Sequence, residues 1–265
     1  MAAFFRRTPP RFFAHRGASG EAPENTLTAF ARAVTLDLEY AELDVQATRD
    51  GVVVVLHDSA VDRTTDGRGN VCDFTFAELR RLDAGYRFSS DGGQTFPFRA
   101  TGVTIPTLSE ILEALPSLHL TIEIKQSDPP IEELVIAAVR RGRREEQVIL
   151  ASEHDQVLQR VRTQAPDLAT SFAFGEVTEF LQRVMGDQLD GYQPPGLALQ
   201  IPPEFQGMPL VTEATVAAAH ALGCEMHVWT INEPEEMQRL LDLGVDGVMS
   251  DFPARLLDVA RRRQS

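Results

Sequence analysis

The segment Tyr40–Val45 reads Tyr-Ala-Glu-Leu-Asp-Val, an apolar strand-like run that nevertheless holds two acidic residues. Side chains along a strand alternate between its two faces, so Glu42 and Asp44 share one face. The segment Leu120–Ile124, Leu-Thr-Ile-Glu-Ile, likewise places Glu123 between two isoleucines. Charges are expensive inside an apolar strand, so these three acids must have compensating partners.

Short apolar runs of this kind recur along the chain, and longer amphipathic stretches separate them. This alternation is typical of βα units around a parallel sheet. About eight units favour a closed TIM (β/α)8 barrel over an open doubly wound sheet, and a length of 265 residues suits one domain, 1–265. The predicted strands are Arg11–Ala14, Tyr40–Val45, Leu120–Ile124, Gln147–Leu150, Ala169–Phe174, Leu197–Ile201, Glu225–Thr230 and Asp246–Met249.

One long stretch interrupts this alternation after the second strand. It runs from Asp58 to about Gly102, follows a short apolar segment at Val52–Leu56, and contains a helical pattern at Phe76–Leu82. A long connection inside a compact domain is usually a functional lid or an ordered cap. We therefore predict a small insertion here.

Capping residues predict where two of the helices begin. Asn25 can cap a helix that runs through Phe30, and Thr212 can cap an alanine-rich helix that reaches Leu222. Gly223 suits the C-terminal end of the second helix.

The composition argues against several classes of partner and location. A formal charge of −14 opposes general binding to nucleic acid or anionic membranes, because either polyanion would be repelled. No segment approaches the roughly 18 to 20 apolar residues of a spanning helix, and no export signal is visible. Cys72 and Cys224 match no metal spacing or disulfide framework. We therefore expect reduced cysteines in a cytoplasmic protein, with an unpaired thiol in a secreted protein as the alternative.

The three strand acids suggest a cation site. In a barrel their shared face is the lumen, and barrel enzymes build their sites at its C-terminal mouth. Carboxylates without a nearby cysteine favour a hard cation such as Mg²⁺ or Ca²⁺ over structural zinc. The alternative is a buried salt-bridge network in which Glu42, Asp44 and Glu123 pair with Lys125 or Arg16 and have no function.

Two histidines follow apolar runs at points where the chain must turn. His15 follows Phe12–Ala14, and His57 follows Val52–Leu56. Histidine titrates near neutral pH, which suits a pair of proton-transfer groups. Each histidine by itself is more simply an ordinary loop or core residue. Their joint occurrence beside charged strand ends therefore supports the hypothesis of an acid–base pair.

Two cations lie at the same strand ends. The guanidinium of Arg16 can bind two phosphate oxygens at once, and the ammonium of Lys125 offers a point charge to a developing oxyanion. Together with a divalent cation and two histidines, these groups suit attack on a phosphate ester. Asp246 and Asp251, near the last strand, are interpreted as turn and capping residues rather than as ligands.

These motifs resemble those of the glycerophosphodiester phosphodiesterase family, in order and over nearly the whole chain. The matching stretches are His15-Arg16-Gly17, Pro23-Glu24-Asn25-Thr26, Glu42-Leu43-Asp44-Val45, Asp50-Gly51, His57-Asp58, Ile105-Pro106-Thr107-Leu108, Glu123-Ile124-Lys125, Val228-Trp229-Thr230-Ile231-Asn232 and Gly244-Val245-Asp246-Gly247.

The resemblance implies a TIM barrel that hydrolyses small-molecule glycerophosphodiesters to an alcohol and glycerol 3-phosphate, with one divalent cation, Mg²⁺, Ca²⁺ or Mn²⁺. The implied roles follow the matching positions. The metal ligands would be Glu42, Asp44 and Glu123, with Glu24 as a nearby or alternative ligand; the acid–base pair would be His15 and His57; the phosphate would be bound by Arg16 and Lys125. Trp229 would form an apolar wall for the glycerol carbons. Analogy favours His57 as the acid.

Two other functions stay open at this point. The same barrel and metal could serve a phospholipase D-like enzyme that acts on lysophospholipids, with the aromatic insertion holding an acyl chain. A catalytically silent barrel that binds phosphorylated ligands is the alternative of another class. A binding module has no need of two proton-transfer groups, so the histidine pair argues against it.

Overall fold

Eight parallel strands form the centre of the molecule. The structure is a computed structural model that describes residues 3–264. The strands are β1 (Arg11–His15), β2 (Tyr40–Ala47), β3 (Val53–Val55), β4 (His119–Ile124), β5 (Val148–Ala151), β6 (Ala169–Thr170), β7 (Ala198–Ile201), β8 (Glu204–Phe205), β9 (Met208–Pro209), β10 (Glu225–Val228) and β11 (Gly247–Ser250). The parallel strands follow the order β6-β5-β4-β2-β1-β11-β10-β7. A parallel bridge between Ser171 and Ala198 brings the two ends together. The predicted TIM barrel is therefore confirmed.

Helices connect the strands. They are α1 (Leu27–Thr35), α2 (Phe76–Leu79), α3 (Leu108–Ala114), α4 (Glu132–Arg141), α5 (Asp155–Gln164), α6 (Phe174–Met185), α7 (Glu213–Ala221), α8 (Pro234–Leu243) and α9 (Pro253–Gln264). Their buried residues pack against strand residues in two main apolar clusters. Within residues 3–264, the helices include none with both the length and the apolar character needed to cross a bilayer.

The two predicted helix starts had different outcomes. Thr212 does cap α7, since its hydroxyl accepts the backbone N–H of Thr215, and Gly223 follows the helix with a φ of +72°. The prediction for Asn25 was wrong. Thr26 caps α1 instead, by accepting the backbone N–H of Ala29.

The predicted strand Ala169–Phe174 is four residues too long, because β6 ends at Thr170. The chain turns at Ala173, which precedes α6 and whose backbone N–H donates to the carboxylate of Glu176. Phe174 is then the first residue of the helix and is 60% exposed. An apolar run shows that a segment can be a strand, but its end depends on where the hydrogen-bonded neighbour stops.

The insertion after β2 shares a small apolar cluster with β3, which precedes it. β3 pairs antiparallel with β2, as the apolar run at Val52–Leu56 suggested. The insertion also contains a 3-10 turn at Val71–Asp73 and α2, which begins with a capping box at Thr75. The cluster comprises Val54, Leu56, Val61, Val71, Leu79, Ala84 and Ile105. The insertion thus packs against β3 through this cluster.

An aromatic side chain fills the end of the barrel opposite the strand C-termini. Phe4 is completely buried, and its ring contacts those of Phe13, Tyr40, His119 and His227. The backbone carbonyl of Phe4 also accepts the hydroxyl of Tyr40.

Candidate active site

Strand register places the predicted site residues side by side. His15 on β1 is the register partner of Glu42 on β2, and Asp44 on β2 is the partner of Glu123 on β4. Because strand side chains alternate, Glu42 and Asp44 project from the same face of β2. Lys125 follows β4 directly. These groups therefore meet where β1 and β4 end, beside the same face of β2.

The three predicted metal ligands converge. One carboxylate oxygen from each of Glu42, Asp44 and Glu123 lies within 4.8 Å of the others. Burial and the neighbouring charge of Asp44 raise the pKa of Glu42 to about 8. Burial also raises the pKa of Glu123, although Lys125 opposes that change. Crowded, buried carboxylates of this kind would be relieved by a cation between them.

The two predicted cations pair with these acids. Lys125 Nζ lies 2.7 Å from Glu123 Oε1 and 3.5 Å from Asp44 Oδ1, and Arg16 Nε lies 3.3 Å from Asp44 Oδ2. The alternative interpretation, a buried salt-bridge network, required such ion pairs, and they are present. They do not satisfy the whole cluster, because Glu42 Oε1 is buried and has no hydrogen-bond partner among the described residues.

That orphaned oxygen provides a test of whether the acids fit a metal. A buried carboxylate oxygen without a donor carries a large desolvation penalty. A hard divalent cation prefers carboxylate oxygens, and the three acids supply only such donors. The donor set of Glu42, Asp44 and Glu123 therefore fits Mg²⁺, Ca²⁺ or Mn²⁺.

His15 is oriented by a carboxylate that the sequence interpretation did not assign to the site. Its Nδ1 lies 2.7 Å from Asp251 Oδ1, and Asp251 in turn accepts hydrogen bonds from Ser19 Oγ and Asn232 Nδ2. Burial would lower the pKa of His15, but Asp251 and the nearby Glu42 raise it above its ordinary value. The interpretation of Asp251 as a mere turn or capping residue was wrong.

His57 has a carboxylate partner as well. Its Nδ1 lies 2.6 Å from Asp58 Oδ1, while its backbone carbonyl accepts the side-chain amide of Gln46. Asp58 is held in turn by Arg63 from the insertion. Although burial opposes the change, the hydrogen bonds from Arg63 and His57 lower the pKa of Asp58 to about 2. Both histidines are therefore oriented through Nδ1.

Asn25, predicted only as a helix cap, also belongs to the site. Its Nδ2 donates to Asp44 Oδ2 at 2.9 Å, and its Oδ1 accepts the backbone N–H of Asp44 at 3.3 Å. Asn25 therefore fixes the carboxylate of Asp44. Its position just before a helix did not indicate this contact.

A tight turn after β1 carries Arg16. The residue adopts a φ of +53°, and its backbone N–H donates to Glu42 Oε2 at 3.0 Å. Its Nη1 donates to Glu24 Oε1 at 3.0 Å. The next residue must be glycine, because Gly17 has a φ of +79° and a Cβ there would lie 2.7 Å from Ala29. Arg16 is therefore held on the acid cluster by backbone and side chain alike.

Trp229 lies just beyond the end of β10. It is 39% exposed, and its backbone N–H donates to the carbonyl of Ile201 at the end of β7. The next residue, Thr230, places its hydroxyl 3.5 Å from His15 Nε2. Trp229 thus lies on the rim of the mouth that contains His15.

The sequence profile of the glycerophosphoryl diester phosphodiesterase family matches residues 15–255 of the chain. That range includes every residue described above at the mouth. A glycerophosphodiester phosphodiesterase from Caldanaerobacter subterraneus subsp. tengcongensis is 37% identical over 256 residues, which cover 94% of this chain and 97% of the relative.

The fold of this chain is also similar to solved structures of phosphodiesterases. A glycerophosphodiester phosphodiesterase from Agrobacterium tumefaciens has a TM-score of 0.74 at 26% identity, with 95% of this chain and 99% of that chain covered. An Oleispira antarctica phosphodiesterase in complex with the product sn-glycerol-3-phosphate has a TM-score of 0.77 at 28% identity, with 96% and 97% covered. The chain therefore belongs to the glycerophosphoryl diester phosphodiesterase family and is a phosphodiesterase enzyme.

Proposed function

We propose that this enzyme performs metal-dependent hydrolysis of glycerophosphodiesters to an alcohol and glycerol 3-phosphate, by acid–base catalysis with His15 and His57. The main support is that the same site contains two histidines, each oriented by a carboxylate, and three strand acids whose carboxylate oxygens converge. The product complex of the Oleispira antarctica relative supports the same product.

The carboxylate partners of His15 and His57 define which ring nitrogen of each histidine carries the proton. Asp251 and Asp58 each have a pKa of about 2 and are ionised at neutral pH, so they can only accept hydrogen bonds. Nδ1 of each histidine must then carry the proton, which leaves Nε2 as the nitrogen that can exchange a proton with a substrate. One histidine accepts the proton of the nucleophile, and the other protonates the departing alcohol oxygen as its bond to phosphorus breaks. Attack by water gives glycerol 3-phosphate directly, whereas attack by the glycerol 2-hydroxyl gives a cyclic phosphate that a water molecule then opens to glycerol 3-phosphate. By analogy His57 is the acid.

Arg16 and Lys125 bind the phosphate. Both are partly buried beside the acids, where their charges are screened less than at an open surface. The guanidinium contacts two non-bridging oxygens, and the ammonium stabilises the charge that develops on them.

Glu42, Asp44 and Glu123 would hold the divalent cation. When bound, such an ion supplies Lewis-acid polarisation of the phosphate.

A phospholipase D-like action on lysophospholipids is the second candidate, and one observation favours it. Four large apolar side chains are 39 to 60% exposed on the segments that follow β6, β7 and β10. They are Phe174, Phe205, Met208 and Trp229, and the rings of Phe174 and Phe205 lie 6.1 Å apart. A rim of this kind could receive an acyl chain.

The deciding experiment follows the release of glycerol 3-phosphate from glycerophosphocholine, with and without chelator, for wild type and His57→Ala. We expect chelator to abolish turnover, added Mg²⁺, Mn²⁺ or Ca²⁺ to restore it, and His57→Ala to lower kcat by about 10²- to 10⁴-fold. His220→Ala is the matched control, since His220 lies on α7 and pairs with Asp246, away from the acid cluster.

Several results would contradict the proposal. Turnover unaffected by chelator would remove the metal, and full activity in His57→Ala would remove His57 from catalysis. Faster hydrolysis of long-chain lysophosphatidylcholine than of glycerophosphocholine would favour the second candidate. Absence of diester hydrolysis in all three metals would favour the silent phospholigand-binding barrel.

A further inference from the structure

Arg63 joins two carboxylates that belong to different parts of the site. Its Nη1 and Nη2 donate to the two oxygens of Glu24 at 2.6 and 2.8 Å. Its Nε and Nη2 donate to the two oxygens of Asp58 at 2.6 and 3.1 Å. The single guanidinium of Arg63 thus forms two bidentate contacts, which fix both the distance and the relative angle of its partners.

Each of these carboxylates contacts a residue with a proposed role. Asp58 orients the ring of His57 through Nδ1, and Glu24 accepts a hydrogen bond from Arg16. Arg63 therefore connects the proton-transfer group on one wall of the mouth to the phosphate-binding group on another. It does so from the insertion, whereas Arg16 follows β1.

The two histidines differ in what supports their carboxylates. Asp251, behind His15, is held by the neutral side chains of Ser19 and Asn232. Asp58, behind His57, is held by the charged fork of Arg63 alone among side chains other than His57 in the described residues. The orientation of His57 thus depends on one residue of the insertion.

We propose that Arg63 is a positioning residue for the phosphodiesterase reaction, which holds His57 through Asp58 and Arg16 through Glu24 in a fixed relation. This inference rests on the proposed function of the two residues it positions. Arg63 is 47% exposed, and ion pairs at such exposure contribute little to stability. Its contribution lies in geometry, because proton transfer needs the imidazole within hydrogen-bond reach of the reacting oxygen.

The test measures glycerophosphocholine hydrolysis by wild type, Arg63→Met, Arg63→Lys and the control Arg68→Met. Arg68 lies in the same insertion, is exposed, and forms no hydrogen bond or ion pair with any residue in the range 3–264. We expect Arg63→Met to lower kcat by about 10²-fold, with a smaller change in KM and a Tm within about 3 °C of wild type. Arg63→Lys should stay impaired, since an ammonium cannot form two bidentate contacts. Arg68→Met should match wild type.

A mutant cycle separates positioning from general structural damage. If Arg63 acts through its two carboxylate partners, adding Arg63→Met to the combined variant Glu24→Gln, Asp58→Asn should lower kcat by less than about threefold further. Independent, multiplying losses would overturn the proposal, as would wild-type kcat in Arg63→Met.

A second readout does not need turnover. In ¹⁵N-histidine NMR spectra the Nδ1–H of His57, assigned with His57→Gln, should be protected from exchange in wild type and exposed in Arg63→Met. Retained protection in that variant overturns the role of Arg63 even if the enzyme is active. A different result would overturn the proposed function instead: a wild type that does not hydrolyse glycerophosphocholine but whose His57 Nδ1–H is protected only when Arg63 is present. Arg63 would then position His57 without any role in catalysis.

Discussion

Glu42 provides a strong test of the proposed metal centre, because its environment penalises the charged form. Its Oε2 accepts the backbone N–H of Arg16, but its Oε1 is buried without a partner among residues 3–264. Burial and the charge of Asp44 raise the pKa of Glu42 from the ordinary 4.5 to about 8. The metal-free fold should therefore be less stable when this carboxylate is ionised.

The sign and size of the effect follow from linkage. A carboxyl group whose pKa is raised on folding stabilises the native state most below pH 4.5, and this contribution is lost as the pH rises to about 8. At about 1.4 kcal/mol per pH unit, the whole window corresponds to an upper limit of about 5 kcal/mol.

The perturbation is Glu42→Gln. Glutamine keeps the acceptor for Arg16 and removes the charge, so the metal-free variant should be more stable than wild type at pH 8, on the order of 1 to 4 kcal/mol. At pH 5 the wild-type carboxyl group is protonated, and the two proteins should have nearly equal free energies of unfolding.

Metal should reverse this order. A ligand that binds only the native state at 100 times its Kd adds about 2.7 kcal/mol to wild type, whereas the variant lacks one of the three carboxylates. Urea unfolding followed by far-UV circular dichroism, with chelator and with saturating Mg²⁺, Ca²⁺ or Mn²⁺, measures both effects. Glu113→Gln, on the exposed face of α3, controls for loss of an acidic residue.

Two results would refute the reasoning about Glu42. One is a metal-free wild type that is more stable than Glu42→Gln at pH 8, since the buried charge would then not be penalised. The other is equal stabilisation of both proteins by metal, which would place the binding site elsewhere.

Three further predictions concern other parts of the molecule. Asp251→Asn should lower kcat by about 10²- to 10⁴-fold through loss of the correct His15 tautomer. The limb of the pH–rate profile due to His15 should also move to lower pH, because Asp251 raises the pKa of His15. A limb that does not move would contradict this role of Asp251. Thr212→Ala should lower the free energy of unfolding by about 1 kcal/mol through loss of the α7 cap, with unchanged kcat, as urea unfolding and a turnover assay would show. Phe4→Ala should cost about 3 to 5 kcal/mol, because a completely buried ring would leave a cavity, and a loss below 1 kcal/mol in urea unfolding would show that this end of the barrel repacks.

Local patterns were sufficient for much of the fold and for the central acids. The apolar run around Glu42 and Asp44 predicted a strand with both acids on one face, and β2 spans Tyr40–Ala47. The run at Ala169–Phe174 was misleading at its end, because Phe174 begins a helix. Alternation is a property of neighbouring residues, whereas the end of a strand depends on a partner elsewhere in the chain.

The supporting residues of the candidate site were not accessible in this way. Asp251 contacts His15 across 236 positions of sequence, and Asn25 contacts Asp44 only because the turn before α1 folds over β2. Arg63 reaches Glu24 from an insertion whose path no periodicity describes.

The sequence by itself therefore determined the barrel, and it predicted the two histidines and the three strand acids as site residues, since short-range alternation and the motifs at strand ends indicate each of them. Only the tertiary structure decided which carboxylate orients each histidine, which oxygen of Glu42 lacks a donor, and how the insertion reaches the mouth. The reason is physical: strand register and loop closure bring together groups whose separation along the chain carries no information about their distance in space.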